Sequence, residues 1–271
     1  MVVVGDLAPG LRTGTQTVKG ITYDTNRQTF NLHQSIDWPY NYLEDAYFQL
    51  TTNEVFDGHG HTISIDDDDS QDPNYGLFAV DAGTSIHHAP TIKDLNVNSV
   101  VTPSPNSLGQ GGLMRAGQSF FIIKNCHHKG SLNEFCGGIC GVSCTNFIID
   151  NCSQEGDIIL GGGLVSNTCN TGTIKNSHSH GYISDGAGGI VGSGCSQLTI
   201  DNCYSTGNIG IASGGICGNT CDRITIDSCY SQGSIGFSGG GIGGSNFHLG
   251  LIRNCYSQGD IGLNGGGMVG I

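Results

Sequence analysis

One feature constrains this 271-residue chain more than any other: a motif that returns about every 26 residues. Asn-Cys stands at Asn125-Cys126, Asn151-Cys152, Asn202-Cys203 and Asn254-Cys255, with Asn176-Ser177 and Ser228-Cys229 as variants. Successive spacings are 26, 25, 26, 26 and 26. Two further markers keep step with it. Gly-x-aliphatic runs from Gly130/Leu132 to Gly259/Ile261, and Gly-Gly-aliphatic ends at Leu113, Ile139, Leu164, Ile190, Ile216, Ile242 and Met268. Three markers in phase mean one structural unit repeated, and periods of this length build solenoids.

Inside a unit such as "QLTIDNCYSTGNIGIASGGICG", Leu198 and Ile200 alternate with polar neighbours. A two-residue period is the signature of a strand, and no window carries an apolar stripe at helical spacing. The unit therefore reads as a coil of three short strands separated by Gly, Asn or Ser. Stacked coils at roughly 4.8 Å give an all-β parallel solenoid in which each coil pairs its backbone with the next. "TNEVFDGHGHTISID" and "GLFAV…TIKDLNVNSV" read as the same coil with fewer markers. The expected layout is a cap region over residues 1–50, which holds Trp38, and a β-helix over 51–271. Its coils are irregular over 51–110 and regular over 111–271, with loop excursions at 66–76 and 101–110. The last letters, "GGGMVGI", fall within a coil, which predicts either continuation past Ile271 or a subunit covering that end.

Stacking turns the sequence into columns. Asn125, Asn151, Asn176, Asn202 and Asn254 form one, at a turn where Asn tolerates a left-handed backbone and stacked amides can bond from coil to coil. Cys126, Cys152, Cys203, Cys229 and Cys255 form the next, read as small inward-facing core residues. Lys124, Asp150, Lys175, Asp201, Asp227 and Arg253 make an exposed charge column, opposite in sign at every step except Asp201 to Asp227. His127, Ser153, His178, Tyr204, Tyr230 and Tyr256 point outward. The stripe Tyr204–Tyr230–Tyr256 is either a glycan-contact surface or a set of rings that stack on one another.

Twelve cysteines raise the question of metal or disulfide chemistry. Cys136, Cys140 and Cys144 are spaced like ligands, as are Cys217 and Cys221. Four residues of extended strand span roughly 13 Å, however, so only a sharp corner could bring two of these thiols to one ion. In-register strands sit about 4.8 Å apart, where a disulfide wants Cβ atoms near 3.8 Å. The cysteines are therefore assigned to the core as free thiols, and neither a metal nor a cofactor is expected. The start of the chain lacks the basic and apolar segments of a signal peptide, which suits free thiols in a reducing compartment.

A formal charge of −13, with ten scattered Lys and Arg, argues against nucleic acid as partner, and no apolar run reaches membrane-spanning length. Catalysis would need convergent polar groups. The repeats offer Asp157, Asp185, Asp201, Asp227 and Asp260 singly or in different columns, so no catalytic residue is assigned. "DGHGH" at 57–61 offers Asp57, His59 and His61, but reads as a strand–turn–strand with the aspartate in the turn; Asp66–Asp69 reads as a solvated acidic loop.

Residues 188–210, "GGIVGSGCSQLTIDNCYSTGNIG", resemble the GLUG repeat; 214–236 and 240–262 are close to it and 137–158 is looser. "VFDGHGHTI" at 55–63 is similar to the opening coil of pectin-lyase-like β-helices. The resemblance implies a right-handed parallel β-helix, since spacing alone does not give the hand. It also implies a non-catalytic stalk, fibre or shell component of the kind found in bacterial surface proteins and large DNA viruses of protists. The expected function is thus a structural or adhesive solenoid mediating assembly or attachment. It would sit in a virion or the host cytoplasm, or alternatively on a cell surface, with protein partners, a homo-oligomer or larger assembly among them. The alternative is a carbohydrate-binding or polysaccharide-cleaving β-helix.

Overall fold

The computed structural model describes residues 6–15, 18–38, 47–67, 76–81, 84–101 and 109–270. The chain is an all-β parallel solenoid of about 8 turns of roughly 26 residues. One face is a ten-stranded sheet. Its strands Ser119–Lys124, Thr145–Asp150, Asn170–Lys175 and Ser196–Asp201 pair in parallel, with Ile123 beside Ile149, Ile174 and Ile200. A second, nine-stranded sheet runs through His127–Lys129, Ser153–Glu155, His178–His180, Tyr204–Ser205, Tyr230–Gln232 and Tyr256–Gln258. Side chains alternate as the two-residue period requires: Phe121 and Ile123 point in and Lys124 points out.

The third side of the coil is thinner than the sequence suggests. Phe48–Leu50 pairs with Phe78–Val80, but later coils continue that side as single bridges, Met114 to Cys140 to Val165 to Val191 to Cys217. The Gly-Gly marker explains this. Gly137, Gly162, Gly188 and Gly214 form a bridged column of their own, and a Cβ on Gly188 would lie 2.0 Å from the Val191 carbonyl oxygen. Backbone passes too close to backbone there for a side chain, so the wall is built from close contacts and not from a long ladder.

The corner between the two sheets is where Asn sits. Asn125, Asn151, Asn176, Asn202 and Asn254 all have φ between 49° and 53°, and Ser228 takes 54°. One left-handed residue per coil turns the chain from the first sheet into the second, and Asn is the side-chain-bearing residue that tolerates it best.

Solenoid register begins inside the N-terminal fifty residues. Thr29–Leu32 pairs in parallel with Val55–Asp57, and Ile36–Trp38 with Thr62–Asp67. The helix Ala8–Thr13 and the antiparallel strand Ile21–Asp24 cover this first coil. Phe30, Phe48, Phe56 and Phe78 fill the coils beneath, each fully buried, with neighbouring ring centres 4.8–6.5 Å apart. Further along, Ile, Leu, Val and Cys replace these rings as the core. At the other end the last coil lies open: Leu251, Ile261 and Leu263 are 51%, 55% and 76% exposed. The loop excursions expected at 66–76 and 101–110 fall mostly outside the described residues, as do Asp68 and Asp69. Among the described residues, no helix is long and apolar enough to cross a membrane.

Candidate functional site

The outward column of the second sheet is the most regular surface feature. His178, Tyr204, Tyr230 and Tyr256 occupy one register position on successive strands. Their ring centres are 4.7, 4.8 and 5.1 Å apart and their planes differ by 2–5°. The spacing is simply that of adjacent strands, so each ring lies flat on the next. Burial between its neighbours, and then their charge, pushes the Tyr230 phenol above its ordinary value. Chemically, a sugar stacks on an open ring face. Here the inner faces of the stack are covered by other rings, leaving hydroxyl rims and the outer face of Tyr256 (48% exposed).

The asparagine corner forms a second ladder. Asn151 Nδ2 donates to Asn125 Oδ1 and Asn202 Nδ2 to Asn176 Oδ1, each at 2.9 Å. Asn125, Asn176 and Asn254 instead donate to the carboxylates of Asp94, Asp150 and Asp227, each at 2.8 Å. The charge column supports it. Lys175 Nζ is 3.3 Å from Asp150, and Arg253 Nε donates to Asp227 at 2.8 Å. The amide of Asn254, and then the Arg253 guanidinium, hold the Asp227 carboxyl below its usual range. That carboxylate is engaged by its neighbours, so the Asp201–Asp227 step has no idle acid pair for a cation.

The cysteine column lies inside the corner. Cys126, Cys152, Cys203 and Cys229 are buried and Cys255 is half-buried; all twelve cysteines are free thiols. Each sulfur in this column donates to the carbonyl two residues before it, as Cys203 does to Asp201 at 3.2 Å. Cys140 and Cys144 overturn one sequence expectation. They are not separated by four extended residues, because a turn with Ser143 at φ 59° intervenes. Their sulfurs and that of Cys169 from the next coil all lie within 4.8 Å of one another. Cys136 is elsewhere, in a small second core with Leu132, Ile158, Ile183 and Ile209.

Asp57 stands at the end of its strand with its carboxylate 2.5 Å from Lys93 Nζ and accepting from the His59 amide at 3.0 Å. Burial pushes this carboxyl up, and the Lys93 and His59 contacts outweigh it and hold it low. His59 (φ 49°) and Gly60 (φ 77°) make the expected turn. The geometry is that of a locked turn and not of an acid poised to give up a proton.

Two interior networks were not foreseen. In the cap, Glu54 accepts from Arg12 at 2.7 and 2.6 Å, from Tyr23 at 3.0 Å and from the Thr51 amide at 2.8 Å. Forty-two positions separate Arg12 from Glu54 with no repeat to link them, so the sequence carries no signal for the pair. The second network is Ser99–His128–Gln154. Gln154 Nε2 donates to the Gly130 carbonyl at 2.7 Å, which leaves Oε1 to accept from His128 Nδ1 at 2.5 Å. His128 Nε2 then accepts from the Ser99 hydroxyl at 2.8 Å.

Serine, imidazole and an orienting oxygen are thus in the order of a nucleophile, base and orienter. Three facts weaken the chemistry. An amide replaces the carboxylate that would stabilise an imidazolium. Burial drives the His128 pKa down to about 4. The adjoining cavity is about 30 Å³, the size of a water site and far below a substrate pocket. A signal for this network existed in the sequence: His128 and Gln154 stand at the register position that continues in the later coils as Ser179, Ser205, Ser231 and Ser257. Ser205, Ser231 and Ser257 bond the Gly-Gly wall, as Ser205 does to Gly215 O at 2.5 Å.

No protein-family model matches the chain, and no curated protein matches it. Among solved structures it is similar to a candidate immunoglobulin A1 protease from Bacteroides ovatus. The two are 16% identical, with a TM-score of 0.46, over 86% of this chain and 77% of that one. A likeness this slight assigns neither substrate nor activity.

Proposed function

We propose that this chain is a non-catalytic structural solenoid, a stiff element for assembly or attachment whose partners are proteins, copies of itself included. The observation that carries this reading is the closed ring stack. Side chains that would have to meet a ligand are engaged along the axis instead: Tyr204 lies between His178 and Tyr230, and Asn202 donates to Asn176. A surface whose groups satisfy one another from coil to coil suits a load-carrying rod better than a site that must release and rebind a substrate. The GLUG-like lettering supports a virion or cell-surface component, with assembly in a host cytoplasm as one setting for the free thiols.

The test is the triple variant Tyr204→Ala, Tyr230→Ala, Tyr256→Ala. Loss of the three stacked pairs should lower stability by about 1.5–4.5 kcal/mol, at roughly 0.5–1.5 kcal/mol per ring pair. Neither wild type nor variant should bind glycans on an array. A wild type that binds a glycan, with a folded variant that does not, would replace this reading by the carbohydrate-binding one.

A further inference from the structure

We propose that Cys140, Cys144 and Cys169 form a three-thiol site for one soft monovalent metal ion, cuprous copper. The three sulfurs lie within 4.8 Å of one another and all three residues are fully buried. Two columns meet there. Cys144 and Cys169 are stacked neighbours in the column that continues through Cys195 and Cys221. Cys140 belongs to the third side of the coil, where its axial neighbours are Met114 and Val165. The turn around Ser143 folds that side back onto the strand start and delivers the Cys140 sulfur to the other two.

The arrangement occurs once among the described residues. Cys217 repeats the position of Cys140 and faces Cys221, but Phe247 stands where a third thiol would be needed. The valines at 165 and 191 show that the fold itself asks only for a small apolar group at this position.

The donor set selects the ion. Sulfur-only ligands favour soft metals. Structural zinc closes its shell with four ligands, and this group holds three. With every edge at most 4.8 Å, the centre of the triangle lies no more than roughly 2.8 Å from each sulfur, and metal–thiolate bonds run about 2.3 Å. A contraction of at most about half an ångström per sulfur closes the site.

Cys144 Sγ donates to the Arg115 carbonyl at 3.4 Å and Cys169 Sγ to the Gly141 carbonyl at 3.2 Å. The metal ligand is the thiolate, so an incoming ion displaces the thiol protons to solvent as the metal–sulfur bonds form. No electron is transferred.

The sulfurs are sealed from solvent, so the ion enters as the chain folds. The test refolds the protein without oxygen in the presence of cuprous ion held by bicinchoninate, then counts copper per chain and reads the ultraviolet thiolate-to-copper band. Wild type and Cys217→Val should each retain one copper. Cys140→Val, which installs the residue found at 165 and 191, should retain copper at least about tenfold more weakly, within the range that loss of a site's supporting groups produces. Circular dichroism shows whether each variant folds, and Cys144→Ser serves as the second variant if Cys140→Val does not. Equal copper in wild type and the folded variant would move the ion to a two-thiol pair and overturn the proposal. Failure of wild type to take copper from the chelator, or a preference for zinc over copper in parallel refolding, would overturn it as well.

Discussion

Two glycines at the same place in the repeat should respond very differently to the same methyl group. A Cβ on Gly189 would sit 2.1 Å from the Gly215 carbonyl oxygen and 2.6 Å from Ser205 Cβ, both in the interior of the wall. Neither neighbour is the free end of a flexible side chain, so the coils themselves must part. That disturbs Gly189 N to Gly214 O at 3.1 Å and the Ser205 bond to Gly215. Overpacking of this kind costs about 1–3 kcal/mol, and the threatened coil-to-coil bonds put Gly189→Ala at the upper end, about 3 kcal/mol. For a chain of this length that lowers Tm by roughly 5 °C. On Gly267, in the last described coil, the same methyl meets only Ile261 Cδ1, at 3.6 Å. Gly267→Ala should stay within about 0.5 kcal/mol of wild type. Urea unfolding followed by circular dichroism measures both. Native-state hydrogen exchange should accompany it, because repeat arrays can open piecemeal. Equal shifts in the two variants would refute the claim that tight coil-to-coil stacking sets the tolerance for side chains.

Further expectations follow from single residues. His128 is held neutral in the fold, with a pKa of about 4 against 6.5 when free, so below pH 6.5 protons favour the unfolded chain. Stability should be fully present above pH 6.5 and fall by about 3 kcal/mol towards pH 4, and His128→Gln should flatten that segment of the pH–stability curve. Asn202 combines φ 49° with a rung to Asn176, so Asn202→Ala should cost about 1–2 kcal/mol by chemical denaturation, whereas Asn202→Gly, which tolerates the backbone, should cost about half as much. Cys255 is the half-buried thiol of the twelve, so an aromatic disulfide reagent should titrate one thiol rapidly in the folded protein and all twelve in denaturant. Several fast thiols in the folded state would contradict the buried columns.

The regular half of the fold was legible because a solenoid is nearly one-dimensional. Once the period near 26 is found, Asn125 through Asn254, Lys124 through Arg253 and the tyrosines fall into their columns from letter spacing alone. What spacing does not give is orientation. The tyrosine stripe could be placed, but the flat stacking that closes its inner faces follows from strand separation and from which way each ring turns. The thiol triad was hidden for a similar reason. A distance estimated along extended chain fails when Ser143, neither Gly nor Asn, adopts a left-handed backbone, and Cys169 joins from another coil. The N-terminal coil lacks Asn-Cys and Gly-Gly, so only the alternation of Phe30 and Leu32 marks it.

The central claim is that the solenoid serves as structure and does not turn over a substrate. The most direct measurement is a panel of neutral and acidic polysaccharides incubated with the purified chain, with and without Ca²⁺, and scored for bound protein and for new chain ends. The account predicts neither, with light scattering reporting whether the protein associates with itself. New chain ends on any substrate, abolished by Asp57→Asn or Ser99→Ala in a folded variant, would contradict it.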